Sequence, residues 1–160
     1  MDQQFLSIGV LDNKNVTLRF FPADPIGAAS CTTLVAVVNI MMEIRTKCCQ
    51  LLDSFNFFDF FAEFNPQLRL YDPKIVYDEY EDRFVIVLLQ LTNPEGNSAE
   101  SDRRGPAKAE ASSVQSKIYL AVSTSGSPKG REDWYLQTID SLEVSATSNE
   151  KYWVDYPGRC

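Results

Sequence analysis

The chain has 160 residues, with 15 Lys+Arg against 22 Asp+Glu and a formal net charge of −7. It contains no histidine, which excludes Ser-His-Asp and Cys-His nucleophile systems, imidazole acid–base chemistry and histidine-ligated metals. The acidic balance also lacks the basic footprint that holds a phosphate backbone, so no nucleic-acid partner is expected. At 44% hydrophobic and 12% aromatic residues, burial can offset chain entropy and a packed core is expected.

In chain order, residues 1–30 form a poorly defined N-terminal segment. Its start carries Asp2 and no basic residue, unlike a secretory leader. Residues 15–21 (NVTLRFF) predict a short strand, which Pro22 and Pro25 then break. The longest uncharged stretch, residues 25–42, is interrupted by Gly27 and carries Ser30, Thr32, Thr33 and Asn39. It is too short and polar to be read as a membrane span, which needs about 20 mostly apolar residues. Residues 33–46 (TLVAVVNIMMEIRT) are rich in β-branched side chains. They read as two strands meeting near Asn39 or as one long strand, with a helix as the competing assignment.

Residues 51–64 differ in pattern. Asp53, Asn56, Asp59 and Glu63 recur at three- and four-residue steps against Leu51, Phe55, Phe58 and Ala62. A short helix near 53–64 is predicted, capped by Asp53 or Ser54 and stopped by Asn65-Pro66. Six phenylalanines fall here: Phe55, Phe57, Phe58, Phe60, Phe61 and Phe64. Rings at that density call for burial.

Residues 74–77 and 83–91 are β runs joined by the charged link Asp78-Glu79-Tyr80-Glu81-Asp82. So short a link allows only an antiparallel hairpin, because a parallel pair needs a crossover of about a dozen residues or more. Residues 84–89 are apolar at every position instead of alternating, so both faces of that strand are expected to be covered. Residues 118–122 repeat the feature after a Ser/Ala/Glu/Gly-rich loop insertion at 93–116. Past the turn-rich TSGSPKG, residues 134–139 make a fourth strand. The fold class expected is mainly all-β: antiparallel four-stranded meanders with hairpins at 33–46 and 72–140. Antiparallel sheets covered on both faces occur where sheets stack in series, as in β-propeller blades of roughly 40 to 50 residues each. About two blades' worth of chain is present, which points to a partial β-propeller.

Four cysteines, Cys31, Cys48, Cys49 and Cys160, allow three pairings if all are oxidised, and free thiols are the expected state. Among the carboxylates, Asp72, Asp78, Glu79, Glu81 and Asp82 form the chief chemical candidate. Calcium takes clustered carboxylates and carbonyls, which makes Asp78, Glu81 and Asp82 calcium candidates. The group lacks the glycine and terminal glutamate of a calcium-binding loop, and a solvated turn in which Asp78 caps its own backbone is the favoured reading. Two carboxylates about 5 to 9.5 Å apart would serve a glycosidase. Tyr77, Tyr119, Trp134, Tyr152, Trp153 and Tyr156 are either a sugar-stacking surface or, as favoured, packing residues.

The segments DPKIVYDEYEDRFVIV, KIYLAVSTSGSPKG, WYLQTID and WVDYPG resemble the blade signature of a group of largely uncharacterised, usually exported β-propeller proteins with sialidase-like blade architecture. Asp72, Pro73, Tyr77, Asp78, Arg83, Phe84, Ala121, Val122, Ser123, Pro128, Gly130, Trp134, Asp155, Tyr156 and Pro157 carry the resemblance. Residues 33–47 with LLDSF look like the preceding hairpin and link, with Cys48-Cys49 standing where a Gly-containing turn is usual. Residues 152–160 look like the start of another blade. The resemblance implies an extracellular setting, although residues 1–10 do not read as a secretory leader. No catalytic residue can be carried over from it. A non-catalytic propeller fragment is therefore expected, acting as scaffold or as interaction and ligand-binding surface. Its expected partners are further blades, a second copy, or a glycan or protein ligand. The alternative is a carbohydrate-active fragment using carboxylates.

Overall fold

The computed structural model describes residues 24–66, 70–92, 114–148, 151–152 and 154. They build two four-stranded antiparallel sheets, each with its strands adjacent in chain order. The first holds β1 (Ile26–Ala29), β2 (Thr33–Val38), β3 (Met41–Thr46) and β4 (Leu51–Asn56). The second holds β5 (Tyr71–Asp78), β6 (Arg83–Thr92), β7 (Gln115–Ser123) and β8 (Trp134–Asp140). A two-stranded ribbon of β9 (Glu143–Val144) and β10 (Lys151–Tyr152) follows. Neither four-stranded sheet closes on itself. Among the described residues no helix is long and apolar enough to cross a membrane.

The meanders arise from short links, and each link has its own chemistry. Residues 33–46 are two strands turning at Asn39-Ile40, not one strand or a helix. Ile40 takes φ +77° there, a conformation costly for a β-branched residue. The turn between β3 and β4 places Cys49 at φ +68°, with Cys49 N–H on Thr46 O and Thr46 N–H on Gln50 O, both at 2.9 Å. This is a three-residue hairpin loop ending in a left-handed residue, the position that favours glycine.

Three expectations are corrected. Residues 51–56 are strand β4, held by pairing with β3. The helix expected near 53–64 is only α1 (Phe57–Phe60) followed by a 3-10 turn (Ala62–Phe64). Its cap is Asn56, whose side chain accepts from Asp59 N–H at 2.8 Å, in place of Asp53 or Ser54. Cross-strand bonding to β3 outweighed the local helical period, as tertiary context does with weak propensities. Second, the first sheet starts at Ile26, inside the N-terminal segment expected to be undefined. The sequence IGAA has little β-branched character to announce a strand. The strand predicted at 15–21 and the loop 93–113 lie outside the described residues.

The third correction concerns the apolar run at 84–89. Phe84, Ile86 and Leu88 are fully buried and Leu89 is 1% exposed, but Val85 and Val87 are only half-buried. One face of the second sheet is thus core and the other is covered only in part.

The core lies between the sheets. Val35, Val37, Met42 and Ile44 of the first sheet meet Ile75, Phe84, Ile86, Leu88, Tyr119, Ala121 and Trp134 of the second, with Phe57, Phe60 and Phe61 among them. The closest backbone approach between the sheets is of β1 and β2 to β5. Toward β7 and β8 the space is filled by rings: Phe60 packs edge-on against Trp134 at 5.9 Å and Phe61 against Tyr119 at 5.2 Å. Of the six clustered phenylalanines, Phe57, Phe60 and Phe61 are completely buried, whereas Phe55, Phe58 and Phe64 are half-buried.

Candidate functional site

The topology of a meander gathers its first and third turns at one end of the sheet, and here the two sheets place these ends together. Ser30, in the β1–β2 turn, donates its hydroxyl to Gly126 O in the β7–β8 turn at 2.5 Å. The neighbouring Thr32 and Ser127 hydroxyls are 2.6 Å apart. Ser123 accepts from Phe84 N–H at 2.8 Å and donates to Ser125 O at 2.7 Å, which ties the β7–β8 turn to the start of β6.

The acidic link between β5 and β6 sits on this cluster. Asp78 Oδ1 accepts from Tyr80 N–H at 2.9 Å and Glu81 N–H at 3.2 Å, the self-capping turn expected of an aspartate in this position. Asp82 adopts φ +51° and accepts from the Tyr77 hydroxyl at 2.5 Å. The bond to Asp82 pushes the Tyr77 phenol up to about 12. Reciprocally, the Tyr77 hydroxyl and the backbone N–H of Gly126 hold the Asp82 carboxyl below the usual range. A Cβ at Gly126 would displace the Asp82 carboxylate, so this contact depends on glycine there.

The calcium candidates are accordingly directed to different partners: Asp78 to its own turn, Asp82 to Tyr77 and Gly126, and Glu81 outward into solvent. Among the described residues no group of three or more His, Cys, Asp or Glu side chains is placed to hold a metal ion. Nor do these carboxylates form an ion pair with Arg83 among the described residues.

Asp72 stands at the other end of β5, in a bulge with Pro73 where the register shifts. Its N–H donates to Asn39 Oδ1 at 2.9 Å. Six residues of extended chain separate it from Asp78, about 20 Å at 3.3 Å per residue, beyond the reach of a paired-carboxylate glycosidase.

Of the aromatic candidates, Tyr77 packs on Phe84 with ring centroids 5.0 Å apart. Tyr119 is 1% exposed, with its hydroxyl on Gln90 Oε1 at 2.9 Å, and burial raises its pKa. Trp134 is 6% exposed and its indole nitrogen has no partner among the described residues. These three are packing residues. Tyr152 is 53% exposed on β10, and Trp153 and Tyr156 lie outside the described residues. Cys31, Cys48 and Cys49 lie in the β1–β2 and β3–β4 turns, with no disulfide between them.

Sequence reasoning missed Ser30, Ser123 and Gly126 as organisers of this end. The serine- and glycine-rich turn 123–130 was the available signal, but its partners lie in other turns. The chain matches no family description, no curated protein and no solved structure.

Proposed function

We propose that the chain is a two-sheet segment of a β-propeller that serves as a scaffold and interaction surface rather than as a catalyst. The observation that carries this reading is the succession of two four-stranded antiparallel meanders packed face to face, with a second apolar face left on the second sheet. By register, Val76, Val85, Val122 and Tyr135 form a row across that face, and Val87 stands beside Leu120. Serial stacking of sheets leaves such a face for the next sheet. A single sandwich would present polar side chains there. The Asp72–Asp78 separation supports a non-catalytic role over the carboxylate alternative.

The test is 8-anilinonaphthalene-1-sulfonate binding together with sedimentation velocity on the full chain and on Val87→Lys. The wild type is expected to bind the dye and self-associate, and Val87→Lys to lose much of the dye signal with its far-UV spectrum unchanged. A monodisperse, cooperatively melting wild type that binds no dye would overturn the reading.

A further inference from the structure

The outer edge of the second sheet is strand β8, which pairs with β7 on one side and with nothing on the other among the described residues. Its sequence, WYLQTID, contains no Lys or Pro, the residues that ordinarily guard an open edge. Tyr135 is 64% and Ile139 45% exposed, so the strand also carries apolar side chains into solvent beside that edge.

The direction of its backbone groups follows from the ladder. Ser141 N–H reaches Ser116 O at 2.9 Å and Thr124 N–H reaches Asp133 O at 2.8 Å. In an antiparallel pair, residues bonding toward one neighbour alternate with those bonding away. Residues 133, 135, 137, 139 and 141 therefore bond to β7, and Leu136, Thr138 and Asp140 turn their N–H and C=O outward. The N–H of Trp134 goes back to Arg131 O, leaving its carbonyl at the end of the open edge.

We propose that β8 is a homodimerisation edge, pairing antiparallel with β8 of a second copy about a dyad at Gln137. In this register Leu136 of one copy and Thr138 of the other exchange both backbone bonds, and Asp140 N–H meets the Trp134 carbonyl. The close, non-hydrogen-bonded positions bring Tyr135 against Ile139 of the second copy, an aromatic–β-branched pair of the stabilising kind. Gln137 meets its own amide across the axis, and Asp140 faces no like charge. Shifting the dyad to Thr138 opposes Tyr135 to Ser141 and Gln137 to Ile139. Shifting it to Leu136 opposes Asp133 to Ile139. Of these three registers, the Gln137 register is the one that sets the exposed Tyr135 and Ile139 against each other, and that self-complementarity identifies a second copy as the occupant. The inference uses the edge of the sheet and does not depend on the propeller reading, which uses its face.

The test is crosslinking in a background with the four native cysteines replaced by serine. Residues facing each other in a non-hydrogen-bonded pair have Cα atoms about 4.5 Å apart, within disulfide range. Gln137→Cys is therefore expected to give a covalent dimer with glutathione disulfide as oxidant, two Gln137→Cys thiols being oxidised to one S–S bond as glutathione is reduced. Tyr135→Cys should crosslink far less. Equal crosslinking at both positions, or none at Gln137→Cys, would overturn the proposal. Sedimentation of Gln137→Lys, with an exposed side chain and like charges across the dyad, should show dimer affinity reduced by up to about fivefold. Thr138→Pro, which removes only an outward N–H, should be monomeric. Association abolished by Val87→Lys but untouched by Gln137→Lys would refute the edge and retain the face; the reverse would refute the face and retain the edge.

Discussion

The hydroxyl of Tyr77 donates to Asp82 Oδ1 across the turn between β5 and β6, and Asp82 in turn accepts from the backbone of Gly126 on the β7–β8 turn. A phenol, a carboxylate and a glycine from three places in the chain thus form one chain of hydrogen bonds. Ser30 extends it to the first sheet through Gly126 O.

The pair titrates in opposite directions. Because the folded Tyr77 lies near 12, above its ordinary value of 10.0, the stability it contributes is complete below pH 10 and is lost as pH rises from there through 12. Asp82 is held below its ordinary 3.8, so its contribution is complete above that value and is lost as pH falls through the folded pKa. In Asp82→Asn, which tolerates the left-handed backbone, the phenolate absorbance titration of Tyr77 should move back toward 10 and the acid-side loss of melting temperature should shrink. An unchanged tyrosine titration would refute the coupling.

Gly126→Ala is expected to break the same contact by volume. The added Cβ clashes with Asp82 Oδ1 and stands 2.9 Å from Asp82 Cγ and 3.2 Å from Tyr77 Cε2. The expected outcome is a lower melting temperature together with a tyrosine titration displaced toward 10. Gly27→Ala, where the nearest atom is Val35 O at 3.2 Å, should leave that titration alone.

Two left-handed residues should respond to glycine with opposite signs. At Cys49, φ +68° costs a side chain about 1–2 kcal/mol, while glycine's extra chain entropy costs about 0.5–1 kcal/mol. Cys49→Gly should therefore gain about 0.5–1 kcal/mol, or about 1–4 °C in melting temperature. Ile40 shares the strain at φ +77° but is only 6% exposed. Removing a buried isoleucine side chain costs about 2–5 kcal/mol, so Ile40→Gly should destabilise despite the relief. Urea denaturation of both variants measures the difference.

The ring cluster should be uneven in energy. Phe60 is fully buried and touches Phe55, Phe61 and Trp134 at centroid distances of 5.4, 5.1 and 5.9 Å. Phe60→Ala should cost about 3–5 kcal/mol, enough to abolish a cooperative urea transition in a chain of marginal stability. Phe58, half-buried and outside the core, should cost about 1 kcal/mol or less on the same substitution. Equal losses would contradict the wedge between the sheets.

The amino-acid sequence alone marked the strands of the second sheet and determined the antiparallel pairing of β5 with β6, because β-branched runs joined by a link as short as 79–82 have no other way to pair. It also marked the Asp78 turn and the demand for burial of the clustered phenylalanines, which Phe57, Phe60 and Phe61 meet in full and Phe55, Phe58 and Phe64 in part. Tertiary structure decided what local pattern could not. Pairing with β3 turned residues 51–56 into a strand and shortened the helix to one turn. Packing chose which face of the 84–89 run became core and left Val85 and Val87 half-covered. The Tyr77–Asp82–Gly126 contact required two turns far apart in the chain to meet at one end of the second sheet, and the bond from Ser30 to Gly126 exists only once the two sheets have stacked.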